Sequence, residues 1–346
     1  MAENGKDIKS FTPEELKKEL EAKGEKGFRA KQMYEWMHKK LATGFDEMTN
    51  LPASLREKCK EEYYYADLEP VTVLTSKLDG TRKYLFRLRD GHFVESVWMK
   101  YHHGNSVCIS SQVGCKMGCR FCASTLDGWE RNLTPSEMLE QIYAMARDNG
   151  ERVSNVVVMG TGEPLDNYEN LVKFIRMLTN EEGLNISQRN VTVSTCGLVP
   201  EIRRLAEEDL SITLALSLHA PTDEKRKELM PIAKRYTLAE VMDACEYYFN
   251  KTGRRISFEY ALVAGVNDNE EEAGQLISLI GGKNCHVNLI PVNPIKERDY
   301  VSTAQDKVLK FKNKLEKNHI NATVRRTLGS DINASCGQLR KQHMEV

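Results

Sequence analysis

Long apolar runs are missing from this sequence, and so is a strong excess of charge of either sign. No stretch of about 18 apolar residues occurs, so no membrane-spanning helix is predicted. Residues 1–5 are polar and partly acidic, which argues against a signal peptide. The net charge of -1 excludes a globally basic surface, so nucleic-acid binding would have to come from local patches. Together these absences predict a cytoplasmic protein.

Cysteine occurs nine times, an odd number that favours reduced thiols and metal ligands over a disulfide framework. The chain of 346 residues is 40% hydrophobic, which suffices for a sizeable core. Its length allows about two domains of roughly 150 residues each. No low-complexity segment stands out.

Three of the cysteines, Cys115, Cys119 and Cys122, form a C-x3-C-x2-C run that leaves a fourth coordination position open. Structural zinc sites are closed by four ligands, whereas a cubane iron–sulfur cluster held by three cysteines presents one iron to an outside ligand. Phe121 and the glycines before Cys115 and Cys119 favour a cluster loop, because glycine lets backbone N–H groups approach the sulfurs. The alternatives are a zinc knuckle with a distant fourth ligand, or buried thiols that act as small hydrophobes.

Residues 1–68 predict a small helical accessory domain that binds RNA. Thr12 supplies a helix N-cap, followed by Pro13 and the capping-box residue Glu15. Further helices are predicted after Gly27 and near Pro52. Four basic side chains could contact phosphate, although charged residues more commonly form a solvated face: Arg29, Lys31, Lys39 and Lys40.

From residue 69 to residue 104 the hydrophobic period changes to two. Asp79-Gly80 and Asp90-Gly91 are turn signals that separate predicted strands at 71–74, 84–88 and 93–99. This segment is predicted to be a β-meander linker between the helices and the next domain.

Residues 105–320 alternate strand and helix patterns. Strands are predicted at 107–110, 155–159, 191–195, 213–218, 256–262 and 287–292, and helices at 135–148, 168–178, 200–207, 238–249 and 269–279. Six such repeats predict an α/β fold with a parallel, partial (β/α)6 barrel, whose reactive groups lie at the carboxyl ends of the strands. The cysteine loop follows the first of these strands. Residues 321–346 form a C-terminal segment.

Polar residues follow several of the predicted strands. Gly162 and Glu163 lie in a G-x-G-E turn, which could approach a bound cofactor or be an ordinary strand-end turn. At later strand ends stand further candidates, each of which alone would more often be a satisfied rim residue: Ser194, Ser217, Leu218, His219 and Asn293. Because buried polar groups are costly unless they are paired, their repetition predicts a cofactor site.

The cysteine run resembles the signature of radical S-adenosylmethionine (SAM) enzymes. Over nearly the whole chain the sequence resembles the RlmN family, radical SAM methyltransferases that act at adenine C2 in 23S ribosomal RNA and in transfer RNA, 3′ of the anticodon. The stretches that carry this resemblance are 108–115, 121–125, 219–221, 285–291 and 334–339. Two positions depart from the family pattern, Ala233 and Ser335, and they bear on substrate positioning more than on reaction type.

The resemblance implies two reactive thiols besides the cluster ligands. Cys336 would be methylated by one SAM, and a second SAM would be cleaved reductively at one 4Fe–4S cluster per chain. The 5′-deoxyadenosyl radical would take hydrogen from the S-methyl group, and the carbon radical would add to adenine C2. Cys108 would then attack the sulfur of the protein–RNA adduct, which releases methylated RNA and leaves a Cys108–Cys336 disulfide.

The adduct at C2 must also lose a proton, and the family pattern places the base at Glu95. Phe93 and Val97 are predicted to share its strand face, and apolar neighbours would raise the pKa of this carboxyl. From the residues alone, Glu95 could equally be exposed, Cys108 a buried strand thiol and Cys336 a tail cysteine. The implied partners are 23S rRNA, tRNA and an electron donor such as flavodoxin or ferredoxin, with the enzyme a monomer.

The C-terminal segment is predicted to be mobile enough to carry Cys336 between SAM and RNA, since it contains Gly329 and Ser330. Arg325 and Arg326 are the favoured phosphate contacts, ahead of the lysines of 307–317. Two alternatives remain. One is the related C8 methyltransferase of the same ribosomal adenosine, which confers antibiotic resistance, and the other is a non-catalytic RNA-binding protein with a structural zinc.

Overall fold

The computed structural model describes residues 5–334, which begin with a helical module. Helices α1 (Pro13–Ala22), α2 (Gly27–His38) and α3 (Ala53–Glu62) pack together, and the short strands β1 (Lys6–Asp7) and β2 (Tyr63–Tyr64) pair in parallel. The predicted capping box is confirmed, because Thr12 Oγ1 accepts a hydrogen bond from the Glu15 N–H while Glu15 Oε2 accepts one from the Thr12 N–H.

A single ten-stranded sheet runs through the rest of the molecule. The meander strands β3 (Pro70–Thr75), β4 (Arg82–Arg87) and β5 (Phe93–Tyr101) pair antiparallel. Strand β5 also pairs antiparallel with β6 (Gly104–Ile109), the first barrel strand. The meander therefore extends the barrel sheet as well as linking it to the helices.

Seven strands of this sheet are mutually parallel. After β6 and a small hairpin of β7 (Gln112–Gly114) and β8 (Trp129–Asn132), the sheet continues through β9 (Val153–Val158), β10 (Val191–Thr195), β11 (Thr213–Ser217), β12 (Ile256–Leu262), β13 (Cys285–Pro291) and β14 (Ala322–Val324). The six predicted barrel strands all form. The seventh, β14, is three residues long, too short to give a periodic signal.

Helices connect the parallel strands. They are α4 (Pro135–Asn149), α5 (Tyr168–Leu178), α6 (Val199–Leu205), α7 (Asp223–Leu229), α8 (Leu238–Thr252), α9 (Glu270–Ile280) and α10 (Gln305–Lys317). All five predicted helices are present, α7 was not predicted, and α10 carries the lysines of 307–317. The α/β fold class with a partial barrel and an N-terminal helical module is thus confirmed. Within residues 5–334, every helix is too short or too polar to cross a lipid bilayer.

A buried ion pair joins the helical module to the barrel. The Lys9 ammonium contacts the Glu140 carboxylate of α4 and donates a hydrogen bond to the Ala66 carbonyl. Nearby, His38 of α2 hydrogen-bonds to the Tyr143 hydroxyl across 2.9 Å. Burial of these polar groups is tolerated because they are paired, so the module is seated on the barrel by specific contacts.

Candidate active site at the carboxyl ends of the barrel strands

A cleft of about 940 Å³, its open mouth included, lies at the carboxyl ends of the parallel strands. Its walls contain Cys115, Cys119 and Cys122. Most of the predicted cofactor residues line the same cleft: Gly162, Glu163, Ser194, Ser217, His219 and Asn293. Leu218 does not line it, because its side chain packs in the core while its N–H donates to the Glu259 carbonyl. Tertiary structure thus gathers residues that are separated by up to 178 positions in the sequence.

Backbone contacts shape the cysteine loop. Gly114 has a φ of 75°, and a side chain there would collide with the Gly128 carbonyl, to which the Cys115 N–H donates a hydrogen bond of 2.8 Å. The Arg120 N–H donates to the Leu229 carbonyl at the end of α7. Thr125 donates its hydroxyl to the Cys122 carbonyl. The loop is therefore held from both sides before any ligand binds.

Burial keeps the three thiols protonated in the absence of metal. It raises the pKa of Cys115 to about 12, raises that of Cys119 well above its usual value, and raises that of Cys122. Cys115 and Cys122 further raise the pKa of Cys119, as expected for thiols that share one pocket. Metal binding here must displace protons.

The G-x-G-E turn is held by Gln112. Its side-chain oxygen accepts a hydrogen bond from the Glu163 N–H at 2.8 Å, while its amide donates to Asp166 and Asn132. Gly162 has a φ of 108°, and a Cβ there would come within 2.6 Å of the Gln112 side chain. Glycine is required at this position on both counts.

The Glu163 carboxylate is occupied by the protein backbone. One oxygen accepts from the Leu165 N–H at 3.1 Å and the other from the Cys196 N–H at 2.8 Å. Burial raises the pKa of Glu163, and the hydrogen bond from Cys196 opposes that shift. A cofactor ammonium would add to these contacts, so the predicted role of Glu163 in SAM binding stays a prediction.

One carboxylate in the cleft was missed by sequence reasoning. Glu259 lies on β12 and accepts a hydrogen bond from the Ser194 hydroxyl at 2.8 Å, and Ser194 stands 3.3 Å from the Ser217 hydroxyl. The Arg325 guanidinium is 3.5 Å from the other Glu259 oxygen. The available signal was a single acidic residue within an otherwise apolar or neutral strand. Arg325, predicted as a phosphate contact, thus also lines the cleft and contacts Glu259.

His219 is a neutral hydrogen-bonding group in the cleft wall. Its Nδ1 accepts a hydrogen bond from the Ala261 N–H at 2.9 Å, so the ring proton resides on Nε2. Burial, together with the nearby Arg226 charge, lowers the pKa of His219 to about 3. With a φ of 57° and an edge-to-face contact with Phe121, the ring is fixed. It can offer a donor to a ligand without carrying charge.

Arg226 was also missed, because it lies on the unpredicted helix α7. Its guanidinium is completely buried and donates to the carbonyls of Cys196 at 2.6 Å and of Ser217 at 3.3 Å. Among residues 5–334 it forms no salt bridge with a carboxylate, and its Nη1 has no hydrogen-bond partner there. These hydrogen bonds hold the ends of β10 and β11 together beside the cysteine loop.

Glu95 is buried on β5, which excludes the alternative of an exposed strand residue. Its neighbours are not purely apolar, because the Lys83 ammonium lies 2.9 Å from Glu95 Oε1 in a buried ion pair. Glu95 lines a smaller cavity of about 400 Å³, whose wall shares Ser124 with the main cleft. The predicted apolar setting is therefore incomplete, since a cation from β4 is part of it.

Cys108 lies on the same sheet face as Glu95. It pairs directly with Val97, which is two residues along β5 from Glu95, and side chains alternate between faces along a strand. Cys108 is buried in an apolar cluster that contains Val97, Met99 and Ala334. Cys336 lies outside the described residues, two positions beyond Ala334. All eight cysteines within residues 5–334 are free thiols.

Comparisons with known proteins identify the family. A model of the radical SAM superfamily matches residues 109–277, and one for the ribosomal RNA large subunit methyltransferase N-terminal domain matches residues 6–64. A probable dual-specificity RNA methyltransferase RlmN of Lachnospira eligens is 66% identical and aligns over 98% of this chain and 97% of its own. That of Lachnoclostridium phytofermentans is 63% identical over 98% and 95%. The chain belongs to the RlmN family of radical SAM RNA methyltransferases.

A solved structure supports the same assignment for this RlmN-family enzyme. A radical SAM methyltransferase from Sphaerobacter thermophilus is 43% identical, superimposes with a TM-score of 0.93, and covers 97% of this chain and 99% of that one. The RlmN-family chain therefore shares its fold with a solved radical SAM methyltransferase over 97% of its length.

The cysteine site fits the 4Fe–4S cluster that membership of the radical SAM superfamily implies. Its donors are three thiols on one loop, Cys115 and Cys119 buried and Cys122 partly buried, and they line the cleft that contains the predicted SAM residues. Within residues 5–334, no three Cys, His, Asp or Glu side chains converge closely enough to share one metal ion. Three cysteine ligands would leave one iron of a cubane open to an outside ligand, and the cleft beside the loop has room for that ligand.

Proposed function

We propose that this enzyme methylates C2 of adenine in 23S rRNA and tRNA, with Cys336 as methyl carrier, Cys108 as resolving thiol and Glu95 as general base. It would use two SAM molecules per turnover and one cluster per chain. The enzyme would act in the cytoplasm as a monomer, with flavodoxin or ferredoxin as its electron donor. When bound, the cluster and SAM would supply a 5′-deoxyadenosyl radical. Adenine C2 is electron-poor, so polar methyl transfer from SAM could not methylate it.

The observation that carries this proposal is the shared face of β5 and β6. Glu95 and Cys108 point to the same side, and Ala334, two residues before Cys336, packs beside Cys108. A chain of two residues spans at most about 7 Å. A carrier thiol at position 336 would therefore act close to both the resolving thiol and the base.

The cleft residues would hold the adenosine side of SAM through hydrogen-bonding groups. His219 offers an uncharged donor, and Ser194 and Ser217 offer hydroxyls that Glu259 orients. Glu163 and the Gly162 turn would contact the methionine part, and Asn293 lines the opposite wall. The Glu95 carboxylate, which is paired with the Lys83 ammonium, would accept the C2 proton.

The two non-cluster thiols are predicted to give opposite results on mutation. Cys336→Ala removes the methyl carrier, so RNA should be neither methylated nor cross-linked. Cys108→Ala leaves the carrier but removes the resolving group, so the enzyme should accumulate covalently attached to RNA. Denaturing gels of both variants expressed in cells, with and without ribonuclease, report the difference. Identical mobility of the two variants would contradict the assignment.

Two further measurements separate the alternatives. Mass spectrometry of product nucleosides distinguishes 2-methyladenosine from the 8-methyladenosine of the C8 enzyme. After anaerobic purification, a protein with the iron–sulfur cluster should be brown and absorb at about 400 nm, whereas a protein with a structural zinc should be colourless. An 8-methyl product would overturn the C2 proposal while leaving the family unchanged.

A further inference from the structure

The turn between β3 and β4 contacts the C-terminal segment through several hydrogen bonds across about 250 residues of sequence. The Ser76 hydroxyl donates to Asp331 Oδ1 at 2.6 Å, and the Lys77 N–H donates to Asp331 Oδ2 at 2.9 Å. One carboxylate is thus held by two donors. The Gly329 N–H in turn donates to Asp79 Oδ2 at 2.9 Å, 250 positions away.

The turn is rigid where these contacts form. The Ser76 N–H donates to the Thr81 carbonyl at 2.8 Å, and Asp79 Oδ1 accepts from the Thr81 N–H at 2.9 Å. Ser76 is buried, and its hydroxyl also accepts a hydrogen bond from the Leu78 N–H. A turn that is closed by its own hydrogen bonds presents Ser76 and Asp79 in fixed positions, as a receptor for a segment requires.

The C-terminal segment is shaped to fit the turn. Gly329 is buried with a φ of 62°, and a Cβ there would lie 2.7 Å from Ala334 Cβ and 3.0 Å from the Thr81 methyl group. Asn333 also has a positive φ, 50°, and its carbonyl accepts from the Lys83 ammonium at 3.3 Å. The same ammonium contacts Glu95. The segment thus folds back on itself directly over the Glu95 and Cys108 face.

We propose that residues 76–83 form a dock that positions the C-terminal segment, with Asp331 as the positioning residue that fixes it. Docking places Ala334, two residues before position 336, against Cys108, and it places the Asn333 carbonyl on the ammonium of Lys83, which also contacts Glu95. Asp331 itself is exposed, so its hydrogen bonds can be exchanged for water when the segment must move. The role assigned to Cys336 rests on the proposed function. The dock itself rests on contacts between residues 76–83 and residues 329–334.

Thiol oxidation in the full-length, cluster-loaded enzyme tests the dock. Diamide takes two electrons and two protons from Cys108 and Cys336 and joins their sulfurs, and peptide mapping measures the rate. Loss of the charge-assisted hydrogen bonds in Asp331→Ala should slow this step roughly tenfold. Asp243→Ala is the matched control, because Asp243 is an exposed aspartate of α8 that pairs only with Arg203 among the residues described. It should oxidise at the wild-type rate.

Hydrogen exchange of the same proteins gives a second readout. The amides of Lys77 and Gly329 should lose protection in Asp331→Ala and keep it in Asp243→Ala, with iron content unchanged in both. Wild-type exchange and wild-type oxidation in Asp331→Ala would overturn the dock. If wild-type enzyme forms no Cys108–Cys336 disulfide, the proposed thiol pair fails, and exchange at Gly329 alone then decides whether the dock exists.

Discussion

At the scale of single residues, the site depends on how many thiols hold the metal. The three cysteines of the motif line the cleft, and Cys196 lines it too. Burial raises the pKa of the Cys196 thiol, and the nearby Glu163 and Cys119 raise it further. The Cys196 N–H donates a hydrogen bond to the Glu163 carboxylate at 2.8 Å, so Cys196 has a structural partner of its own. An open iron for SAM requires that Cys196 is not a ligand.

Cys119→Ala is expected to abolish both cluster binding and SAM cleavage, because two thiolates cannot retain the cubane against solvent. Cys196→Ala, in the same cleft, is expected to keep wild-type iron content and 5′-deoxyadenosine production. Iron and sulfide analysis of anaerobically purified protein measures both. Loss of iron in Cys196→Ala would show four ligands and would contradict the open coordination position.

Glu95→Gln is expected to slow methylation by roughly 10²–10⁴, the usual contribution of a general base. Cluster content and Cys336 methylation should be unchanged, since glutamine preserves the size of the side chain. Single-turnover methylation of an RNA substrate measures the effect. Glu130→Gln is the control, because Glu130 lines the same small cavity from the β7–β8 hairpin. If Glu130→Gln is the slow variant, the base is Glu130 and the assignment is wrong.

At the scale of elements, loop conformation decides whether the motif can work. Gly114 combines a positive φ with a backbone approach that leaves no room for a methyl group. Ala233, a departure from the family pattern, is buried in the short helix that follows α7, and Pro231 of the same helix lies 3.3 Å from where a Gly118 Cβ would stand. The neighbours of the cysteine loop are thus as constrained as the loop itself.

Gly114→Ala is expected to destabilise the protein by about 1–3 kcal/mol and to reduce iron content, because both strain and a steric clash act at one residue. The control is Gly274→Ala in α9, where a Cβ meets nothing within 4 Å. That change should stabilise by about 0.4–1 kcal/mol. Denaturant unfolding together with iron analysis checks both. Equal stability of the two variants would contradict the role of the loop backbone.

At the scale of the whole molecule, buried histidines make stability depend on pH. Burial lowers the pKa of His38 well below its usual value and that of His219 to about 3. The unfolded chain therefore takes up protons below about pH 6.5 that the folded chain refuses. Each histidine contributes stability that is fully present above that pH and is lost as the pH falls.

The free energy of unfolding is expected to fall by about 1.4 kcal/mol per pH unit for each of these histidines below about pH 6. His38→Gln removes one titrating group, so its loss of stability between pH 6 and pH 5 should be smaller than that of the wild type by about 1.4 kcal/mol. Anaerobic denaturant titrations at both pH values measure this. Parallel pH dependence of the two proteins would show that His38 is protonated in the folded state.

The sequence alone determined the fold class, the six barrel strands and the ligand-bearing loop, because hydrophobic periodicity and the C-x3-C-x2-C spacing are local properties. Capping of α1 by Thr12 was readable for the same reason. The short strand β14 was not predicted because three residues carry too little periodic signal, and helix α7 was not predicted because Leu229 is its single apolar residue.

Only the tertiary structure decided the partners of the reactive groups. The Lys83 contact to Glu95, the Glu259 contact to Ser194 and the Asp331 contact to the β3–β4 turn join residues that lie 12, 65 and about 250 positions apart. Sequence spacing does not predict such pairs, because the partner of a residue depends on which strands or segments lie beside it in the fold. They arise from sheet register, which carries Glu95 and Cys108 onto one face and brings the C-terminal segment over it.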